Sequence, residues 1–146
     1  MSLPGLPIVR AVTGTANYYR RSAIYCGVVA LVAVLGALRL EQTAPKGGAL
    51  AVGVVFAVFC YRTLRTSHRF LDPDASPVLA AITRDPARIA RVSVEQGVGM
   101  PTFVVVEDRE GARLALRIAD ADAQQLASLL EAFGRHAPNA DVARVP

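Results

Sequence analysis

The chain is poor in the residues on which most enzymes and metal proteins depend. Its 146 residues include no tryptophan, two cysteines and two histidines. Both cysteines lie in apolar runs and form no Cys-x-x-Cys pair, which argues against a disulfide-stapled scaffold and a zinc site of ordinary spacing. The pair Gly97-x-Gly99 lacks the third glycine and the following helix of a nucleotide-binding fingerprint. We therefore expect no metal and no cofactor.

Acidic residues are almost absent from the first half of the chain. Residues 1–69 contain eight basic residues and one acidic residue, Glu41, whereas residues 70–146 contain eight basic and eleven acidic residues. A domain that binds nucleic acid concentrates its basic residues on the soluble part. The net charge of +4 therefore does not indicate a nucleic-acid partner.

Charge is missing altogether from two apolar runs, Ser22–Leu38 and Gly47–Tyr61. As helices they would span about 26 and 23 Å, and flanking residues bring them closer to the hydrocarbon core of about 30 Å. We predict transmembrane helices over residues 22–40 and 47–69, the second with a basic extension. Because neither run contains an ionisable residue, a transporter or proton channel is disfavoured.

Two alternatives remain for these runs. They could be core helices of a soluble protein, but a chain this short could not cover both. The first could instead be the apolar region of a cleaved signal peptide. Against that, 21 residues precede it, no clear A-x-A site follows it, and the second run comes soon after.

The short polar connection 41–46 contains Pro45 and makes the two helices antiparallel neighbours. Basic residues flank the outer ends of the hairpin, so the positive-inside rule places both termini in the cytoplasm. These residues are Arg10, Arg20, Arg21, Arg62, Arg65 and Arg69. Tyrosines near the same ends resemble an interfacial aromatic belt. We expect a multi-pass protein of a bacterial inner membrane, in contact with the lipid bilayer.

Small residues recur with helical spacing in both runs, as in transmembrane helices that pack closely. The stripes consist of Ala49, Gly53 and Ala57 in the second helix, and of Cys26, Ala30, Ala33 and Ala37 in the first. An alanine-rich sequence also produces such stripes by chance. Cys26 and Cys60 are equally distant from Thr43, which predicts similar depths in an antiparallel hairpin.

Three arginines, Arg62, Arg65 and Arg69, follow the second run at helical spacing. If the helix continues, they form one basic face that would meet anionic head groups. Positive-inside anchoring and specific lipid sensing both fit this pattern. Residues 70–76 then form a linker whose aspartates suit Asx-Pro turns rather than a metal site.

The remainder predicts a small α+β domain over residues 77–135, ordered as helix, three-stranded antiparallel meander and helix. Together with the α-hairpin of two transmembrane helices, this is the predicted fold class. Alternating or apolar residues place the strands at 89–95, 102–106 and 113–118. Asp122 and Gln125 fit a capping box at the start of the last helix, and Gly134 closes it. Residues 136–146 are expected to form a loosely ordered tail.

Catalytic chemistry is hard to find in this domain. A nucleophile needs a nearby base, and the candidate hydroxyls are Ser93, Thr102 and Ser128. His136 lies in the predicted tail and His68 beside the membrane, so we expect no enzyme. Glu107, Asp108 and Glu110 read as a solvated turn. The outer strands 89–95 and 113–118 would leave open edges for partners.

The runs RIARVSVEQ, FVVVEDREGARLALRI and DAQQLASLLEAF resemble the last strands and closing helix of a pleckstrin-homology-like domain. The whole layout resembles small bacterial membrane proteins with a transmembrane hairpin and a cytosolic domain. A complete domain of that type has more strands than the three predicted here. The resemblance implies no functional residue.

Three functions fit these expectations. The leading one is a non-enzymatic, membrane-anchored interaction module that presents the cytosolic α+β domain to a protein partner or to itself. The second is an anionic-lipid surface sensor that uses Arg62, Arg65 and Arg69. The third is an accessory subunit of a transporter or envelope complex, held through the small-residue stripes.

Overall fold

The computed structural model describes residues 5–41, 43–96, 101–118 and 123–143. The chain divides into two compact units. One contains the chain through Thr15 together with everything from Arg69 onward, and the other runs from Ala16 to His68. The boundary therefore falls inside the first helix rather than at a linker.

Two long helices form most of the second unit. Helix α1 spans Leu6–Arg39 and helix α2 spans Thr43–Leu71, with 34 and 29 residues. At about 1.5 Å per residue they are about 51 and 44 Å long. The connection is shorter than the predicted loop 41–46, because Pro45 lies in the first turn of α2, where a missing N–H costs no helical hydrogen bond. Helix α2 also continues past Tyr61, as the arginine spacing suggested.

The start of α1 belongs to the α+β unit. Residues 1–21 are predicted to be an N-terminal cytoplasmic segment without assigned secondary structure, yet α1 begins at Leu6. Ile8 and Thr15 are fully buried, and Val12 between them is half-buried. This spacing of four and three residues places them on one helical face.

The linker after α2 is ordered by local turns. Asp72 accepts a hydrogen bond from the backbone N–H of Asp74 at 3.0 Å, which confirms the predicted Asx turn. A short 3-10 helix, Pro73–Ala75, leads into helix α3, Pro77–Arg84. Proline stands at the first position of α3, and the Ser76 side chain makes no capping hydrogen bond.

The sheet has four strands instead of the predicted three. They are β1 Ile89–Glu95, β2 Thr102–Asp108, β3 Arg113–Ile118 and β4 Asp141–Val142, in the order β3-β2-β1-β4. The first three pair antiparallel as predicted, and β4 pairs parallel to β1. The prediction of a loose tail over 136–146 was wrong, because part of that segment completes the sheet.

Alternate residues of the three long strands build the core. Val92, Val104, Val106 and Leu116 share one face of the sheet and are fully buried. Helix α3, whose apolar residues are also buried, contacts β1, β2 and β3. The short helix α3 therefore covers this face of the sheet.

Helix α4 spans Ala123–His136 and so extends beyond Gly134, the predicted end. On the side that packs inward, Leu130 and Phe133 are buried and Leu126 is half-buried. Asp122 of the predicted capping box, and residues 97–100, lie outside the described part of the chain.

Candidate functional site

The helical hairpin exposes a large number of apolar side chains. Most exposed large apolar side chains in the described residues lie between Ile24 and Leu64. Both helices are long and apolar enough to cross a membrane, and their most apolar windows are only 17% and 6% buried. Core helices of a soluble protein would be mostly buried, so this observation separates the hairpin from that alternative.

The two helices approach each other closely at Gly53. A Cβ atom placed on Gly53 would lie 3.1 Å from Val34 Cγ2, 3.5 Å from the Ala30 carbonyl oxygen and 3.7 Å from Ala33 Cβ. Gly53 is buried, whereas Ala49, Ala30 and Ala33 are half-buried. The residues predicted for helix packing thus include those at the point of close approach.

The remaining predicted packing residues lie further from this contact. Ala57 is exposed, and Cys26 is half-buried. Cys60 faces the other helix, since a Cβ on Gly27 would lie 3.5 Å from its sulfur. Both cysteines are free thiols. The contact between Gly27 and Cys60 agrees with similar depths for the two cysteines in the hairpin.

A second inter-helix contact lies nearer the open end of the hairpin. The hydroxyl of Ser67 donates a hydrogen bond to the carbonyl oxygen of Ala16 at 2.9 Å, and both residues are buried. Because Ser67 bonds a carbonyl of α1, the polar contact fixes the register of the two helices at this end. The sequence analysis did not identify Ser67.

Four arginines lie between the contact of Ser67 with Ala16 and the contact of Cys60 with Gly27. Arg20 and Arg21 fall between Ala16 and Gly27 in α1, and Arg62 and Arg65 fall between Cys60 and Ser67 in α2. The antiparallel register therefore brings all four to one level of the hairpin, and all four are exposed. We call this group the arginine collar.

The arginines of the collar and those of the α+β domain differ in whether they form ion pairs with acidic side chains. The domain arginines Arg84, Arg88 and Arg91 pair with Asp74, Glu110 and Asp141. In the described part of the chain, no ion pair involves an arginine of α1 or α2, and Arg69 is exposed as well. The collar guanidinium groups are thus available to anions from outside the chain.

Helix α1 satisfies one backbone group on the outer side of β3, one of the two predicted open edges. The hydroxyl of Thr15 accepts a hydrogen bond from the backbone N–H of Arg117 in β3 at 3.0 Å, and donates one to the Ala11 carbonyl at 2.8 Å. The other predicted edge, β1, is an interior strand because β4 pairs with it. The expectation of an open edge was therefore wrong for β1, whereas β3 is an edge strand of the sheet, as predicted.

The acidic hairpin tip is only partly solvated. Asp108 is 2% exposed, and its Oδ1 accepts hydrogen bonds from the backbone N–H groups of Glu110 and Ala112 at 3.0 and 2.8 Å. Gly111 takes a φ of +82°, which closes this turn. The solvated reading holds for the exposed Glu110 and is wrong for Asp108, whose carboxylate organises the β2–β3 hairpin.

Two of the candidate catalytic groups, His136 and Ser128, make structural hydrogen bonds, whereas the buried Thr102 hydroxyl has no hydrogen-bond partner within the described residues. The buried His136 places Nε2 2.6 Å from the Ile82 carbonyl oxygen, linking α4 to α3, and is not in a loose tail. Ser128 donates to the Gln125 carbonyl. Within the described ranges, no group of three or more His, Cys, Asp or Glu side chains could hold a metal, and no hydroxyl is hydrogen-bonded to a histidine.

Thr15 and Ser67 are the polar positions that sequence reasoning missed. The signal for Thr15 was present: Ile8, Val12, Thr15 and Tyr19 follow helical spacing before the first apolar run. Comparison with known proteins adds nothing to this geometry: no protein-family model, curated protein or solved structure matches the chain.

Proposed function

We propose that this chain is a non-enzymatic, membrane-anchored interaction module. In this proposal the hairpin of α1 and α2 spans the bilayer, and the α+β domain is presented to a protein partner or to a second copy. The observation that carries it is the exposed apolar surface between Ile24 and Leu64. Exposed apolar surface on this scale marks a membrane or protein contact.

The arginine collar supports an orientation for the hairpin. Positive charge near membrane spans is retained on the cytoplasmic side. The opposite end of the hairpin carries Arg39 and Lys46, partly offset by Glu41. We therefore place both termini and the α+β domain in the cytoplasm of a bacterial cell, on the inner membrane. Tyr25 and Tyr61, 74% and 65% exposed, would lie at the interface.

The contacts of Thr15 argue against removal of the first helix as a signal peptide. Cleavage after the first apolar run would remove the hydroxyl that satisfies the Arg117 N–H. It would also remove the buried Ile8 from the α+β unit. A segment with these contacts is better explained as a permanent part of the folded protein.

The mass of the intact protein in native lipid particles, measured by native mass spectrometry, tests the proposal. A complex with a second protein, or a homo-oligomer, is expected. A protein that is monomeric at all concentrations and carries no partner would contradict it.

A second candidate, an anionic-lipid sensor, is favoured because no ion pair in the described part of the chain involves an arginine of α1 or α2. Lipid phosphates would then pair with Arg62, Arg65 and Arg69, at about 1 kcal/mol per charge near the surface. Charge reversal at these three sites should abolish the rise in melting temperature that anionic lipid produces in nanodiscs. If that rise persists while insertion is normal, the lipid candidate is wrong.

A further inference from the structure

Strands β3 and β1 are contacted in very different ways on the side that faces away from β2. The β3 edge is held by a buried threonine in a long helix, through the hydrogen bond between Thr15 and Arg117. The β1 edge is held by β4, a strand of two residues. In the described chain, the β1–β4 register covers only Arg91 and Val92 of the seven β1 residues. The outer side of β1 is therefore covered only by a short strand, which could be displaced more easily than the helix that contacts β3.

Few contacts in the described chain hold β4 against β1, and the ion pair among them is exposed. Ala143 donates its backbone N–H to the Val92 carbonyl at 2.8 Å. Asp141 lies 3.7 Å from Arg91, with side chains 79% and 62% exposed. Exposed ion pairs of this kind contribute little to stability. A short turn with a hydrogen bond from Ala140 to Ala137 connects β4 to α4, so β4 can leave without unfolding the helix.

The vacated edge would offer a strand-docking site. Backbone groups along a strand alternate in direction, so Val94 points its N–H and C=O to the same side as Val92. Addition of an extended peptide to such an edge is a common mode of recognition. The main-chain bonds supply affinity, and alternate side chains supply specificity.

We infer that β4 is a displaceable strap over a peptide-docking edge, and that the occupant is an extended segment of a protein partner. The strap shows what the edge accepts: a segment parallel to β1, with an acidic residue opposite Arg91 and an aliphatic residue opposite Val92. This inference rests on the proposed function, because it names where and how the partner binds.

A labelled peptide with the sequence of residues 138–146 is the probe, and the full-length chain in lipid nanodiscs is the receptor. Ala143→Pro removes the N–H that bonds Val92, and Ala143→Ser is the matched control that keeps it. Fluorescence anisotropy should show saturable binding to Ala143→Pro, about tenfold or more tighter than to wild type or Ala143→Ser. An occupied edge lowers apparent affinity by the fraction of time it is free.

The charge requirement is tested in the same assay. A peptide with lysine in place of its aspartate should bind Ala143→Pro several-fold more weakly, and adding Arg91→Glu should restore it. Equal binding of both peptides, or no saturable binding to a variant that keeps its melting temperature, would overturn the inference. If Ala143→Pro does not fold, Asp141→Lys releases the strap by repulsion from Arg91 and replaces it in the affinity comparison and in the comparison of the two peptides, without Arg91→Glu.

Two outcomes identify a different occupant or separate the two proposals. A wild-type dimer in nanodiscs that Ala143→Pro dissociates would mean that a second copy occupies the edge, and would overturn the assignment to a partner. A protein complex found in native lipid particles, combined with a failed peptide assay, would leave the proposed function intact and remove the β1 edge as its site.

Discussion

Thr15 shows how a single hydroxyl can satisfy a backbone group at the edge of a sheet. An edge strand leaves backbone N–H and C=O groups without partners, and a buried unpaired N–H is costly. The Thr15 hydroxyl accepts from the Arg117 N–H while donating to Ala11 within its own helix. The threonine hydroxyl therefore satisfies the Arg117 N–H and also donates its own proton to a hydrogen bond.

Thr15→Val should destabilise the α+β unit by about 1–3 kcal/mol, because valine keeps the shape and leaves the Arg117 N–H unsatisfied. Hydrogen exchange at the Arg117 amide and thermal melting would both report the change. Thr13→Val is the matched control, since the exposed Thr13 hydroxyl bonds only Val9 of its own helix. Equal effects of the two substitutions would mean that the edge contact contributes nothing.

Gly53 tests the packing of the hairpin at the same scale. Gly53→Leu should lower hairpin stability by about 1–3 kcal/mol, because overpacking a close contact forces neighbours to shift and Val34 Cγ2 already lies 3.1 Å from the position of a Cβ. The measurement is melting in nanodiscs. At Gly36 a Cβ meets nothing within 4 Å, so Gly36→Leu is the control. A loss of stability of the same size at Gly36 would refute a specific contact at Gly53.

At the scale of elements, the β2–β3 hairpin depends on one carboxylate. Asp108 accepts two backbone N–H bonds across the turn, from Glu110 and Ala112, while its own N–H bonds the Ala112 carbonyl. The neighbouring strand ends are joined by a bond from the Arg109 N–H to the Arg88 carbonyl. The carboxylate thus replaces backbone pairing where the two strands separate.

Asp108→Ala should cost about 1–3 kcal/mol of stability, since two backbone donors lose their acceptor. Asp108→Asn keeps an acceptor oxygen and should cost much less, so it is the control at the same position. Chemical denaturation of the full chain in lipid particles gives both values. A small effect of Asp108→Ala would mean that water replaces the carboxylate, and the structural role would be withdrawn.

Elements with a strong local pattern could be predicted from the sequence. Strands β1 and β3 have the predicted bounds, because alternating apolar residues specify a half-buried strand locally. Strand β4 has two residues, too few for any period, and its pairing with Arg91 depends on contacts about fifty residues away in the chain. The Thr15 contact depends equally on distant residues. Local sequence patterns therefore could not predict the contacts on the outer sides of β1 and β3.

At the scale of the whole molecule, the α+β domain and the hairpin differ in how they expose apolar side chains and pair their arginines. The α+β domain buries its apolar residues and pairs most of its arginines with acids, as a water-soluble domain does. The hairpin exposes apolar side chains and has no described ion pair at its arginines. A protein whose charges and apolar surfaces separate in this way is suited to a bilayer with a charged interface.

The collar should set the orientation of the hairpin. Replacing Arg20, Arg21, Arg62 and Arg65 by glutamine, with Glu41→Lys in the connection, moves the excess positive charge to the other end. A C-terminal reporter that is active on only one side of the membrane should then detect a substantial inverted population. Glutamine at Arg91, Arg109, Arg113 and Arg135 removes the same number of charges from the domain and should leave orientation unchanged. If the collar variant keeps its original orientation, the folded α+β domain, and not the arginines, decides which side the termini occupy.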